Sequence, residues 1–377
     1  MKKFLHGILR KGFWGLMICL CFMMVGCGKW KPAEEKRPDN NKAETSVGLE
    51  VHYIDVGQGD CTLIINQGHA MLIDAGEDDK GTTVQKYLKD LGIKKLDYVI
   101  GTHPDADHIG GLDVILTKFD CEMILFPDAE SDTVSYWRVI EVIERKNYQI
   151  TRPELFQSYD LGDASFTIIG PVKAYEEGSN NHSIALRVTY GETSFLFLGD
   201  ADAEAQKDML LSGAELSCEV LKAGHHGSSD SADLKFLETV SPEYAVISCG
   251  MGNDYGHPHA RTLNLFKDLG ISVFRTDEQG TIKAVSDGKK ITWNQMPSVS
   301  WKAGVYNEDR QDNVWQNEEN KKDLSNYQYI LNIRSYKFHK PECESVAEMS
   351  RSNCEGSNLT KEEIIALGYI PCNNCKP

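Results

Sequence analysis

The chain has no surplus of positive charge. Its 40 lysines and arginines are outnumbered by 56 aspartates and glutamates, a net charge of −16 over 377 residues. That excludes broad, non-specific attraction to nucleic acid, so a polyanionic substrate would have to be held by metal ions or a local basic patch. No hydrophobic run reaches membrane-spanning length: FWGLMICLCFMMVG (13–26) has about fourteen residues, short of the roughly 20 a spanning helix needs. The sequence is therefore not expected to form an uptake channel. No repeat of fixed period is present. The loop GQGD (57–60) lacks the GxGxxG or GxxxxGK spacing of a phosphate cradle, and is expected to be a tight turn packed near the site.

The basic opening MKKFLHGILRK and the short apolar run suit a secretory leader over 1–26. It ends in MVGCG, where a small residue before Cys27 resembles the bacterial lipobox, with Met24 in place of the usual leucine. Cys27 is then the expected lipidation site. The bulk of the chain is expected outside the cytoplasm, on the outer face of the cell membrane as a lipoprotein, or secreted. Residues 27–47 are polar and charged and read as a tether.

From 48 to 294, strand-like and helix-like segments alternate. LDYVIGTH runs into His103, TSFLFLGD into Asp200, CEVLKAGHH into His225 and His226, and EYAVISCG into Gly250. Each apolar strand stops at a polar tip bordered by glycine, where α/β folds build their sites. Val84, Tyr87, Leu88 and Leu91 recur at helical spacing, and Val134, Trp137, Ile140 and Ile143 are expected to form a second, buried stripe. Residues 295–326 are too polar for a core and read as a linker to a compact tail, 327–377.

THPDADHIGG (102–111) crowds His103, Asp105, Asp107 and His108 within six positions. Their like charges would repel unless cations sat among them. Two carboxylates and two imidazoles can hold two divalent ions, with Asp200 and the His225–His226 pair as further suppliers. Gly110 and Gly111 let the following helix approach closely.

These pieces resemble the metallo-β-lactamase superfamily, whose signature is HxHxDH followed by a distant His, Asp and His. The close resemblance is to the hydrolase domain of ComEC-type competence proteins, through DVGQGD (55–60), LIDAG (72–76), THPDADHIGG, NNHSIALRV (180–188), FLGD (197–200), LKAGHHGSSDS (221–231) and YGHP (255–258). The resemblance implies an α/β fold, a four-layer αββα sandwich, and a two-metal site. His103 and Asp105 would hold one ion, Asp107 and His108 the other; Asp200 would bridge, and His225 would complete the second site. His182 stands where the superfamily's third histidine arrives, although Asn181 and Ser183 fit the ComEC-like pattern better. His226 is either the ligand of its pair or a substrate-facing catalytic group. Asp105 replaces a histidine of the lactamases, and a harder ligand tolerates Mn²⁺ as well as Zn²⁺. Two such ions, about 3.5–4 Å apart, activate water for in-line attack on phosphorus. Asp107 would orient the nucleophile. His257 would bind phosphate or protonate the leaving oxygen, or serve only as a turn residue before Pro258.

The tail carries His339-x3-Cys343 and Cys372-x2-Cys375, two short chelates with the spacing of a tetrahedral structural zinc. A tail of about 50 residues gains stability from such an ion; disulfides are the alternative in an exported protein. It resembles the small zinc module of the Ada repair protein, with His339 in place of the first cysteine. That resemblance implies contact with DNA phosphates, whereas the tail's own charge is balanced, six basic against six acidic residues over 327–377. The expected function is a membrane-tethered binuclear-metal phosphodiesterase acting on DNA or another phosphodiester. Hydrolysis of a carboxylic ester, lactone or β-lactam is the alternative, as is a non-catalytic metal-containing DNA-binding protein.

Overall fold

The computed structural model describes residues 48–176, 180–305, 327–332, 337–343, 345–346, 349, 354–366, 369–372 and 374–377. The expected leader, lipobox and tether, and residues 306–326 of the expected linker, lie outside the described residues.

Burial with a period of two organises the strands. β1 (Leu49–Tyr53), β2 (Thr62–Asn66), β3 (His69–Ile73), β4 (Lys95–Ile100), β5 (Asp120–Leu125) and β6 (Ile150–Thr151) begin one sheet. β7 (Ser158–Leu161), β8 (Ala164–Gly170), β9 (Ala185–Tyr190), β10 (Thr193–Phe197), β11 (Val220–Lys222), β12 (Tyr244–Ile247) and β13 (Ser272–Arg275) form the other. β14 (Ile282–Ser286) and β15 (Ile291–Trp293) return to the first, giving orders β15-β14-β1-β2-β3-β4-β5-β6 and β13-β12-β11-β10-β9-β8-β7. Along β10, Phe195 and Phe197 enter the layer between the sheets, with Tyr53, Met71, Phe166 and Phe274. Leu196, between them, faces the opposite side. Burying each such phenylalanine contributes about 1.5–3 kcal/mol.

Helices close the outer faces. α1 (Gly81–Asp90), the short α2 (Ala106–Ile109), α3 (Leu112–Lys118) and α4 (Val134–Arg145) follow strands of the first sheet. Val84, Leu88, Ile115, Leu116, Val139 and Ile143 pack there on Leu63, Leu72 and Val99. α5 (Ala203–Ser212), α6 (Leu234–Val240) and α7 (Ala260–Asp268) cover the second sheet through Met209, Phe236, Leu237 and Phe266. The result is the expected αββα order.

One stripe is rotated from expectation. In α4 the buried side chains are Ser135, Tyr136, Val139, Val142 and Ile143, while Trp137 is 50% exposed. Both registers satisfy helical spacing, and the face with Tyr136 and Val139 fits against the sheet. Residues 298–304 also do more than link: Ser298 N–H donates to Val273 O at 2.7 Å and Gly304 N–H to Pro258 O at 2.9 Å.

In the tail, β16 (Tyr329–Asn332), β17 (Lys337–His339), β18 (Cys354–Ser357) and β19 (Ile370–Pro371) form a small sheet ordered β18-β16-β17-β19, with α8 (Lys361–Ala366) beside it. Two further facts position the site. β3 and β4 run parallel in the first sheet, as do β10, β11 and β12 in the second. The carboxyl ends of both sets converge on one edge, as the hydrogen bond from Ile184 N–H to Thr102 O (2.8 Å) records.

Candidate metal centre

Three buried imidazoles point Nε2 at a common centre and tie Nδ1 back to the fold. His108 Nδ1 lies 2.9 Å from Asp74 Oδ2, and Asp74 also accepts from the Thr102 hydroxyl (2.7 Å) and Thr102 N–H (2.8 Å). His226 Nδ1 donates to Ser248 O at 3.0 Å, with Asp60 Oδ1 3.2 Å away. His103 Nδ1 lies between the hydroxyls of Thr102 (3.2 Å) and Ser183 (3.3 Å). Such backing bonds fix the tautomer that leaves Nε2 free as a ligand.

Asp200 is the hub. Its Oδ1 is 3.2 Å from His108 Nε2, and its Oδ2 is 3.4 Å from His226 Nε2, 3.7 Å from His225 Nε2 and 3.9 Å from His103 Nε2. Asp107 Oδ2 lies 3.1 Å from His226 Nε2, and Asp105 Oδ2 lies 3.7 Å from His103 Nε2. Two lobes result. Asp107, His108 and His226 form one; His103, Asp105 and His225 border the other; Asp200 is common to both.

The sequence favours His225 for the second lobe and leaves His226 as the alternative; in the structure it is His226 Nε2 that lies beside Asp107, while His225 borders the other lobe. The reason is backbone. His225 (φ 47°) and His226 (φ 52°) both adopt left-handed conformations, at a cost of roughly 1–2 kcal/mol each. That backbone swings two adjacent rings towards the same carboxylate, which an extended strand would not do. His225 N–H donates to Gly199 O (3.1 Å), and Ser231 Oγ–H donates to Gly224 O (2.8 Å), holding the turn.

His182 is engaged elsewhere: its Nε2 is 3.0 Å from Glu176 O, and its ring sits edge-on to Tyr175. Its neighbour Ser183 meets the centre instead, accepting from Asp200 N–H at 3.0 Å while touching His103. His257 is buried beside the cluster, its ring 5.5 Å from that of His225 and 6.1 Å from that of His226. Burial, then the charges of His226 and His225, pull its pKa down to about 3.

The GQGD turn does pack on the metal loop. Asp60 N–H donates to Asp107 O at 3.1 Å. Gly59, at φ +117°, has no alternative, since a Cβ there would stand 2.1 Å from Asp107 O. Gly111 is needed for approach: a Cβ would stand 2.4 Å from Ala75 O and 2.9 Å from Gly81 Cα.

Asp60 was not singled out from sequence, yet its carboxylate joins His108, Asp200 and His226 in a buried group whose ligand atoms lie within 4.8 Å of one another. It faces Nδ1 of His226, the side away from Asp107, and its Oδ2 is 2.7 Å from buried Lys222 Nζ. A lysine closing an apolar strand was the available signal, because a buried ammonium demands a carboxylate.

The donor set suits divalent ions. His103 Nε2 and Asp200 Oδ1 are buried without a well-formed hydrogen bond. Burial should depress the His108 and His226 pKa values, yet Asp200 and neighbouring carboxylates hold both well above the usual histidine range. Protons there occupy the electrostatic place that a cation would take. Burial and the nearby His108 charge hold His103 neutral, with a pKa of about 4.

In the tail, His339, Cys343, Cys372 and Cys375 bring their ligand atoms within 4.8 Å of one another. Both ring nitrogens of His339 are buried without a partner, and the cysteines are free thiols. Burial opposes the Cys372 thiolate, but N–H groups of Cys375 and Asn374 and the neighbouring thiols bring its pKa below the usual thiol value. Lys340 N–H lies 3.4 Å from Cys375 Sγ. This donor set fits tetrahedral zinc.

Two sheets flanked by helices, with a histidine–aspartate centre at their shared edge, define a metallo-hydrolase class. Residues 54–251 match the family model for the metallo-beta-lactamase superfamily, and the chain belongs to that superfamily. It is 29% identical over 252 residues to ComE operon protein 3 of Bacillus subtilis (strain 168), covering 62% of this chain and 32% of that protein. It is 30% identical over 242 residues to Recombination protein 2 of Haemophilus influenzae, covering 62% and 28%. With Competence protein ComA of Neisseria gonorrhoeae it shares 28% identity over 278 residues, covering 73% and 36%. The chain thus spans about a third of the length of these relatives. Among solved structures, the metallo-beta-lactamase fold protein YhfI of Bacillus subtilis aligns at 14% identity and TM-score 0.43, covering 63% of this chain and 99% of that one.

Proposed function

We propose that the chain is a metal-dependent phosphodiesterase acting on DNA, tethered outside the cell membrane through Cys27. The observation that carries this reading is the two-lobed arrangement around Asp200, in which His103, Asp105 and His225 would hold one divalent ion and Asp107, His108 and His226 the other. Relatives named for competence and recombination support a DNA substrate. The leader and lipobox motif support the location. Among the described residues no helix is long and apolar enough to cross a membrane.

Divalent ions bound there supply Lewis acidity, which acidifies water and draws charge off phosphoryl oxygens. The chain does the rest. Asp74, Thr102, Ser183 and Ser248 keep the histidine rings aimed without spending reorganisation energy during reaction. Asp107, less buried than Asp200, orients the attacking water. His257 Nδ1, buried with no hydrogen-bond partner among the described residues, hydrogen-bonds a substrate oxygen.

The test uses protein from Lys29 onward, wild type beside Asp107→Ala, with labelled single- and double-stranded DNA in chelator, Zn²⁺ or Mn²⁺. Metal-dependent cutting by wild type alone is expected. If metal-loaded wild type cuts neither DNA, the DNA assignment fails, and small phosphodiesters, carboxylic esters, lactones and β-lactams become the candidates.

A further inference from the structure

One cavity joins the metal centre to the tail. It has a volume of about 490 Å³ and is lined on one side by Asp105, Asp107 and Tyr255, and on the other by Asn332, Lys337 and Asn374. His339 and Cys372, two of the four candidate tail ligands, line it as well. The volume lies in the range of built ligand sites.

Lys337 is the only lysine or arginine among the described residues that line the cavity. Its side chain is 8% exposed and pairs with Asp132, which is 68% exposed and also lines the cavity. A carboxylate that keeps most of its hydration is easily displaced, and a phosphate oxygen in its place would make a charge-assisted bond to a largely desolvated ammonium. Tyr255 is 54% exposed and stacks on His257 with ring centroids 5.6 Å apart and planes 18° apart. An exposed ring across a cavity from a phosphate-binding cation is a pairing that can hold a nucleotide next to a reacting phosphate: stacking on one group, charge on the other.

We infer that the Lys337 face of the C-terminal module is the second wall of the substrate cleft, and that it holds the phosphate neighbouring the one cleaved while Tyr255 stacks the intervening base. The module thereby determines specificity for a polymer over a small diester. The inference rests on the phosphodiesterase reading above. It also gives the tail ion a role, since His339 closes β17, the strand that Lys337 opens.

The test compares wild type, Lys337→Gln, Lys337→Arg and Tyr255→Ala, all metal-loaded, on a short labelled oligonucleotide and on bis(p-nitrophenyl) phosphate. The ratio of kcat/KM on the strand to that on the small diester should fall about tenfold in Lys337→Gln, the loss of one charge-assisted hydrogen bond. Lys337→Arg should restore much of it, and Tyr255→Ala should lower it independently. The salt dependence of oligonucleotide binding, read by anisotropy, should lose about 0.7 from its log–log slope in Lys337→Gln. Wild type that hydrolyses neither substrate overturns the phosphodiesterase reading, and the wall with it. Wild type that hydrolyses both, with ratio and slope unmoved in the variants, overturns the wall alone. If Lys337→Gln loses its zinc and fold, Tyr255→Ala from the opposite wall decides the outcome by the same ratio.

Discussion

Lys222 offers the sharpest test of how the centre is built. It closes β11 at 2% exposure, with Nζ 2.7 Å from Asp60 Oδ2 and donating to Ala223 O at 2.9 Å. Asp60 is itself 4% exposed. Replacing Lys222 by Met keeps the length and removes the charge, leaving a buried carboxylate whose remaining ionic neighbour is His226. Removing one partner of a buried pair costs about 3–5 kcal/mol, or roughly 6–20 °C in Tm for a domain of this size. The double variant Lys222→Met/Asp60→Asn should regain most of that loss, because no uncompensated charge remains. The assay is equilibrium urea unfolding in chelator at pH 7, with both single variants and the double completing a cycle. Burial raises the Asp60 pKa, but Lys222 and then His226 outweigh it and leave the value below the ordinary aspartate range. The pair's stabilisation is therefore fully present above about pH 3.9, and is lost as pH falls through the folded Asp60 value. A loss below about 1 kcal/mol for Lys222→Met, or additive single costs in the cycle, would refute an interdependent buried pair.

Other outcomes follow from the same geometry. His182→Ala should leave metal content near wild type, because its Nε2 is on Glu176 O, whereas His225→Ala should lose one equivalent; elemental analysis reads both, and the reverse result would restore His182 as a ligand. Gly59→Ala should destabilise by about 1–3 kcal/mol and release metal, since its Cβ meets Asp107 O; an unchanged Tm and metal content would refute that contact. Burial raises the thiol pKa values of Cys61, Cys121, Cys218 and Cys249, that of Cys121 to about 12. A thiol reagent should therefore leave these four unreacted in the native protein, and chelation should expose Cys343, Cys372 and Cys375. Fewer thiols than cysteines after denaturation without reductant would favour tail disulfides over zinc.

Much of this was legible because the strands carry their chemistry at their ends. TSFLFLGD and LDYVIGTH state both the burial alternation and the tip that follows it, so the strand–helix alternation and the roles of His103 and Asp200 as tip residues could be read locally, while the αββα order came from the family resemblance. The face of α4 could not. Its sequence offers Val134, Trp137 and Ile140 on one flank and Tyr136, Val139 and Val142 on another, and only the shape of the sheet beneath chooses. Nor does spacing encode the left-handed backbone at His225 and His226, which is imposed by Gly199, Ser228 and Ser231 around the turn. Asp60 and Lys222 meet only through the fold, and neither segment names the other.

The acidity of the chain acquires a meaning beside the proposed cleft. Exposed charges more than about 8–10 Å away are largely screened at physiological salt, so a net charge of −16 slows encounter with a polyanion more than it weakens a docked one. Within the cleft, Asp105, Asp107 and Asp132 face a single lysine among the described residues. Without ions, that balance repels phosphate. Two divalent ions at the proposed site would add four positive charges and reverse it. Metal occupancy would then govern substrate affinity as well as chemistry. A metal-free chain would stay off nucleic acid, and the bond from Lys337 to phosphate would add to an attraction that the ions set up.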